Sequence, residues 1–501
     1  MASFTLLFSR RIFEYDVYHL IQAFYPFSES EIWYDGDEKP QGEHDADFAV
    51  DYTDTAVRFS CVTGKGDTFG GTAEITDFSD RHRSKNEVKR LVYRVLSERT
   101  GRTLPWGDLT GIRPTKIAMK LAENGVPETK IRKTLKTAYL VSDEKIDLTL
   151  SVVKREREIL SGCRTVSHSP DGKKGYSLYV DVPFCPSICL YCTFGSHRLD
   201  AFRDYVTPYF TALYREIRYV CRAMEKEHYV PDTVYIGGGT PTSVPPAQLD
   251  ELLHVLSDCI DLASLKEFTV EAGRPDTVSR EILDVLRKYP VTRISINPQT
   301  MVQKTLDVIG RAHTVEETRD AFRRAREAGF DNINMDMIVG LPGEGEAEVA
   351  KTLHDIAALS PDSLTVHSLA LKRAARLNMF RDIYEPVSFE NSEKIMRLTE
   401  ETAASLGMTP YYLYRQKNMA GNFENTGYAV PGKACAYNML IMEEQQTIMA
   451  CGSGASTKFV FDGGERIERA ENVKDLKNYI ERTDEMLERK QHGIDCWLHQ
   501  A

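Results

Sequence analysis

Residues 176–196 read YSLYVDVPFCPSICLYCTFGS, and everything else in the chain is placed by what this stretch does. YSLYVDV is a short apolar run of aromatic and β-branched residues, the composition of a buried strand. It runs directly into Cys185, Cys189 and Cys192, with three and two residues between successive cysteines. A structural zinc site closes with four ligands, usually as two separated pairs. A disulfide leaves one thiol over. Three cysteines on one loop suit a [4Fe–4S] cluster whose fourth iron has no protein ligand. An open iron is useful when something else binds it. S-adenosylmethionine does so through its amino and carboxylate groups, and an electron from the cluster then breaks its C–S bond to release a 5′-deoxyadenosyl radical.

Outward from this loop a rhythm repeats. YSLYVDV is followed by a helical pattern over 202–226, TVYIGGG by one over 247–260, and EFTVEAG by one over 278–288. RISINPQ, NINMDMIVG and SLTVHSL continue the series, with helices expected near 314–328, 344–358 and 388–406. Six strands alternating with helices imply a parallel sheet with both faces covered, as an open sheet or a partial barrel. Ligands of such folds sit at the carboxyl ends of the strands. This expectation places Cys185, Gly237 to Gly239, Glu271, Gln299, Asp336 and Ala370 on one rim.

On the near side, strand-like DADFAVDY, AVRFSCVT and GGTAEIT mix with helix-like KNEVKRLVYRVLSERTG, PTKIAMKLAENG and DEKIDLTLSVVKREREIL. The turn-rich SHSPDGKKG reads as a linker. The expected division is an N-terminal α+β domain over 1–172, a core over 173–408 and a small α+β extension over 409–501. At 501 residues, several domains are expected. A net charge of −11 and a pI near 5.7 argue against a nucleic-acid partner or an anionic membrane surface. No stretch approaches the ~18 apolar residues of a membrane span. In MASFTLLFSRR the arginines follow the apolar patch, so no secretory signal is expected, and the chain is placed in the cytoplasm. The scattered Cys61, Cys163, Cys221, Cys259, Cys435, Cys451 and Cys496 are expected to be small buried hydrophobes.

With these residues in view, the sequence resembles the radical S-adenosylmethionine (radical SAM) superfamily, and within it the oxygen-independent coproporphyrinogen III oxidases (dehydrogenases) and their heme-chaperone relatives. YVDVPFC, GGGTPT, the Gln299–Arg311–Asp336 spacing and VGLPGE carry the likeness over about 176–370. CGSGAS resembles that family's glycine-rich closing strand. LTGIRPTK and YYLYRQKN resemble the branch usually called HemZ. The resemblance implies a partial (β/α)6 barrel, a [4Fe–4S] cluster on Cys185, Cys189 and Cys192, and S-adenosylmethionine held by Tyr179, Gly238, Gly239, Thr240 and Glu271. Gln299, Arg311, Asp336 and Ala370 match positions for a second S-adenosylmethionine. Taken alone, the glycine triplet is equally a tight turn, Tyr179 an ordinary strand aromatic, and each polar residue a rim salt bridge or cap. Lys372, Arg373, Arg376, Arg415 and Lys417 are candidate clamps for propionate carboxylates or members of solvated faces.

The implied reaction is oxidative decarboxylation of coproporphyrinogen III propionates to vinyls, giving protoporphyrinogen IX, with electrons from flavodoxin or ferredoxin. The implied rivals are a heme-binding chaperone and another radical modification of a tetrapyrrole. A zinc-structured interaction module is a further alternative. Two departures bear on the choice. Decarboxylating members tend to have histidine where this chain has Asp181, and cysteine where it has Phe194.

Overall fold

A computed structural model describes residues 3–499 apart from 27, 76, 194, 371–390 and 417–418. Six parallel strands lie side by side in chain order: β1 (Lys174–Val182), β2 (Tyr229–Gly238), β3 (Glu267–Glu271), β4 (Arg293–Ser295), β5 (Ile333–Val339) and β6 (Ser363–Ser368). Most of their residues are buried, nearly all of them in β3 to β6, as helices on a parallel sheet require. Helices Val206–Lys226, Pro246–Cys259, Arg280–Arg287, Val315–Glu327 and Glu346–Leu359 connect them, close to the spans the periodicity marks. Their starts follow local chemistry: Ser279 caps Ile282 N at 3.2 Å, and Thr314 with Glu317 forms a reciprocal capping box. The fold class is the expected α/β one, and the parallel strands share one continuous apolar core with the covering helices.

The last ninety or so residues depart from the expected appended domain. Ile448–Cys451 adds in parallel to the free edge of β1, followed antiparallel by Ser456–Phe461 and Arg466–Glu471. Asn425–Ala429 adds antiparallel to the outer edge of β6. Both edges of the six-stranded array are thereby paired, which removes two rows of unsatisfied backbone groups.

The chain divides into two compact units, Met1–Ser151 with Leu413–Glu424, and Val152–Tyr412 with Asn425–Ala501. The first boundary falls inside the helix Asp143–Leu160 and not at the SHSPDGKKG turn. The first unit is a five-stranded sheet in the order Glu29–Tyr34, Ser3–Phe8, Ala46–Tyr52, Ala56–Thr63, Thr68–Glu74, with helices Glu14–Phe24 and Arg81–Thr100 contributing to its own core. The apolar FTLLF patch near the start is the buried strand between two parallel neighbours.

The segment Leu413–Glu424 belongs to this unit through bonds to its loops. Arg415 donates from N to Ile112 O at 2.7 Å and from Nη1 to Leu109 O at 2.6 Å. Glu424 accepts from Trp106 Nε1 at 2.7 Å and from Lys145 Nζ at 2.5 Å. Leu109 and Ile112 of LTGIRPTK and Arg415 of YYLYRQKN, far apart in sequence, are thus joined in one local structure. Arg415 is buried and committed to these carbonyls and to Asn422, so it is a structural strut and not a free carboxylate clamp. Lys372, Arg373, Arg376, Lys417 and Phe194 lie outside the described residues.

Candidate active site

β1 delivers the cysteine loop. Beyond Val182 the two-residue bridge Phe184–Cys185 pairs in parallel with His197–Arg198, and Leu199 N donates to Cys185 O at 2.9 Å. This ties the two ends of the loop together over a fully buried Phe184. Inside it, Leu190 N donates to Ile309 O at 3.0 Å and Cys192 N to Cys189 O at 3.2 Å. None of the three cysteines is in a disulfide; Cys189 is buried, and Cys185 and Cys192 are partly exposed. Burial pushes the Cys185 thiol up; hydrogen bonds with Thr240 and Ser196 oppose this, and the charges of Cys189 and Cys192 add to it, so the three sulfurs share one electrostatic neighbourhood. Among the described residues no set of three or more Cys, His, Asp or Glu converges as it would on a single ion. A cubane does not need that convergence, because each sulfur ligates a different iron. Of the other seven cysteines, Cys61, Cys163, Cys221, Cys435 and Cys451 are buried as expected, whereas Cys259 and Cys496 are partly exposed.

The glycine turn at the end of β2 packs against this loop. Gly239 N donates to Val182 O at 2.9 Å and Thr240 N to Phe184 O at 2.7 Å, which brings Thr240 Oγ1 to 3.4 Å from Cys185 Sγ. Glycine is required here. Gly238 has φ +102, and a Cβ on it would lie 2.1 Å from Asp181 Oδ1; one on Gly239 would lie 2.6 Å from Phe184 O. The two strand ends therefore meet backbone to backbone. Beside them opens a cavity of about 360 Å3 lined by Tyr179, Asp181, Thr193, Gly238, Gly239 and Tyr437, among others.

Next to that cavity three tyrosines stack. Tyr179 and Tyr235 are register partners on β1 and β2, 6.3 Å between ring centroids, and Tyr437 lies 4.6 Å from Tyr235. Tyr437 arrives from the helix Ala436–Met442, whose first backbone N–H donates to Glu267 at 2.6 Å. Each of two carboxyls has a tyrosine donor: Tyr179 to Asp181 at 3.1 Å and Tyr235 to Glu271 at 2.5 Å. Burial raises Asp181 to about 8 and Glu271 to about 7, against the lowering effect of those hydrogen bonds. Asp336 is also desolvated, yet His367, Asn334 and Thr365 outweigh this and hold it below the usual carboxylate range. Neighbouring carboxyls are thus pushed apart, the condition under which one holds a proton while another is ionised.

A protonated Asp181 and Glu271 have a measurable consequence. The folded chain keeps these protons above the ordinary carboxylate range, where the unfolded chain has lost them. The folding stability they contribute is therefore present at low pH and is lost as pH rises towards about 8, opposite in sign to a salt-bridged carboxylate. Asp181→Asn is expected to flatten the decline of unfolding free energy between about pH 5 and 8, read from denaturant titrations across that range. A slope identical to the parent's would reject the buried protonated state.

The remaining candidates are placed unevenly. Gln299 lies beyond the short β4 with φ +65, rare for a residue with a side chain, and still bridges Met337 of β5. Its Oε1 is buried with no partner among the described residues, as is Arg311 Nε, while Arg311 Nη1 donates to Asn297 O at 2.5 Å. Arg311 sits on the loop after the helix Gln303–Val308, within hydrogen-bonding reach of Cys189 and Tyr191. Asp336 is in the middle of β5, yet it stands beyond the end of β4, because Ser295 is level with Asn334; its N donates to Asn297 Oδ1 at 3.2 Å and its O accepts from Gln299 N at 3.0 Å. Its side chain meets Asn334, 2.6 Å away, and His367, 3.9 Å away. Ala370 follows β6 by two residues. Tyr235, Tyr437, His367 and Arg274 belong to the site without having been singled out from sequence. Tyr235 stands two residues before Gly237, on the same face as Tyr179, a signal that strand alternation carries. Tyr437 comes from a distant helix and has no local signal.

These features define the class. A model of the radical SAM superfamily matches residues 179–356, which runs from the strand bearing the cysteine loop to the fifth covering helix. The oxygen-independent coproporphyrinogen-III oxidase-like protein HemZ of Bacillus subtilis is 39% identical over 459 residues, 90% of each chain. The heme chaperone HemW of Lactococcus lactis is 31% identical over 287 residues, 57% of this chain and 70% of that one. The solved structure of coproporphyrinogen III oxidase (HemN) from Escherichia coli shares the fold, with a TM-score of 0.50 at 24% identity over 66% of this chain and 72% of that one. The chain belongs to the HemN-like family of radical SAM proteins. The cofactors of that superfamily are a [4Fe–4S] cluster and S-adenosylmethionine. The residues described fit both: three thiols without other covalent partners, a glycine cradle with no room for a Cβ, and unsatisfied polar atoms on Gln299 and Arg311.

Proposed function

We propose that the chain is an oxygen-independent coproporphyrinogen III dehydrogenase that converts propionates to vinyls in heme biosynthesis. The observation that carries this reading is the meeting of a three-cysteine loop and a glycine cradle beside one cavity, in a chain that aligns with a coproporphyrinogen-III oxidase-like relative over 90% of both lengths. Cys185, Cys189 and Cys192 hold the cluster. Tyr179, Gly238, Gly239, Thr240 and Glu271 hold S-adenosylmethionine, and Gln299, Arg311, Asp336 and Ala370 hold a second molecule of it. When bound, these groups supply the one-electron chemistry that removes a hydrogen atom from the propionate β-carbon.

The chain's own residues provide the setting. Tyr179 and Tyr437, the outer members of the tyrosine stack, line the cavity with aromatic surface. Burial, against the lowering effect of the Tyr179 hydrogen bond, keeps Asp181 a neutral acid that can donate to a substrate oxygen without presenting a repelling charge to propionate carboxylates. Glu271, anchored by Tyr235, is poised near neutrality to meet a cationic cofactor group. Flavodoxin or ferredoxin supplies electrons, and the reaction belongs in the cytoplasm; no helix of the described residues is long and apolar enough to cross a membrane.

Asp181 in place of the decarboxylating members' histidine, together with the likeness to HemW, favours a second reading as a heme-binding chaperone. Anaerobic incubation of reconstituted protein with coproporphyrinogen III and a low-potential reductant separates the two. Products lighter by the loss of one and two HCOOH units, with release of CO2, are expected by mass spectrometry. Stoichiometric heme binding with the porphyrinogen unchanged would replace the enzyme reading by the chaperone one.

A further inference from the structure

Arg274 stands three residues beyond the end of β3, and almost none of it is exposed. Pro275 confines it to extended backbone, φ −121 and ψ 114, and its carbonyl accepts from Thr277 N at 2.9 Å and Thr277 Oγ1 at 2.8 Å. The guanidinium is divided between two tasks. Nε and Nη2 each donate to Asp276 at 3.1 Å. Nη1 points the other way, 3.0 Å from Ser187 Oγ and 3.9 Å from Cys189 Sγ. The ion pair is therefore an oriented dipole: its positive end faces the cysteine loop, and its counter-charge sits on the far side.

We propose that Arg274 sets the reduction potential of the cluster by donating from Nη1 to the Cys189 sulfur. A hydrogen bond to a ligand sulfur favours the oxidation state with more negative charge, and burial strengthens the effect. Arg274 thereby raises the potential and brings the cluster within reach of its reductant. Asp276 restrains the effect by cancelling part of the guanidinium charge. Arg274 is a positioning residue in this role, since it acts through Cys189. The role rests on the cluster assignment proposed above and is independent of the porphyrinogen reaction.

Opposite shifts from the two halves of the pair test it. The full-length protein, Arg274→Gln and Asp276→Asn are reconstituted anaerobically with iron and sulfide, assayed for both, and titrated for the reduced cluster by electron paramagnetic resonance without substrate. Arg274→Gln is expected to move the midpoint to lower potential and Asp276→Asn to higher potential, at equal iron content. An unshifted midpoint in cluster-loaded Arg274→Gln, or shifts of the same sign in both variants, would overturn the proposal. Should Arg274→Gln fail to load, Asp276→Asn decides alone, and an unchanged midpoint rejects the role. A parent protein that takes up no iron and sulfide would instead reject the cluster assignment itself.

Discussion

Replacing Cys185, Cys189 and Cys192 together by alanine is expected to abolish cluster loading: anaerobically reconstituted protein should be colourless, with iron and sulfide reduced to background. The expectation follows from the donor set. No other cysteine is placed in this loop, and the nearby side chains Thr240 and Ser196 carry hydroxyls, which are poor substitutes for thiolate at iron. The loop's architecture should survive the change, because it is held by backbone bonds from Leu190 to Ile309 and from Leu199 to Cys185 O, and by the buried Phe184. The variant should therefore unfold at the same denaturant concentration as the unloaded parent. Iron and sulfide retained in the triple variant would place the cluster elsewhere and remove the basis of the proposed function.

The largest effect on stability is expected from Lys490→Met. Lys490 and Glu216 are both completely buried, and Lys490 Nζ donates to Glu216 Oε1 at 2.5 Å. Glu216 is fully engaged: it also accepts from Asn472 at 2.8 Å, Tyr479 at 2.6 Å and Gly452 N at 2.8 Å. Removing the ammonium leaves a carboxylate in the core without its counter-ion, a change that costs about 3–5 kcal/mol. The loss also reaches the candidate site. Gly452 opens the glycine-rich turn whose neighbours Ser453 and Gly454 line the cavity, and Glu216 pins its N–H. Urea unfolding of the unloaded protein under reducing conditions measures the effect; a midpoint within experimental error of the parent's would show that the pair contributes nothing net.

Much of the core was legible in the sequence because its signals are local. A buried parallel strand must be an apolar run, and a covering helix must place apolar residues at helical spacing, so the six-fold alternation stands out with helix spans close to those observed. The GGG turn was legible for a related reason: Gly238 and Gly239 stand where a Cβ would collide with Asp181 or Phe184. Depth was less legible. Asp336 stands inside its own strand and still beyond its neighbour's end, because β4 stops at Ser295, level with Asn334, while β5 runs on to Val339. Arg274 carries no local signal, because a charged residue after a strand looks like any solvated loop cation. Only its burial and its two-sided hydrogen bonding distinguish it. The place of the last residues is not legible because strand pairing is non-local: nothing in TIMACGSGA specifies that it extends the edge of β1.

The sequence alone determined the chemistry the chain can attempt, since the number and spacing of the cysteines, and the absence of a fourth beside them, are properties of the covalent chain. It also determined the α/β class, through periodicities that each element carries within itself. The tertiary structure alone decided the electrostatics. Whether Asp181 holds a proton, Asp336 loses one, or Arg415 clamps a ligand or braces a loop depends on burial and on partners brought from distant segments. Free energies of that kind arise only when the folded chain removes water from a charge and supplies, or withholds, a replacement.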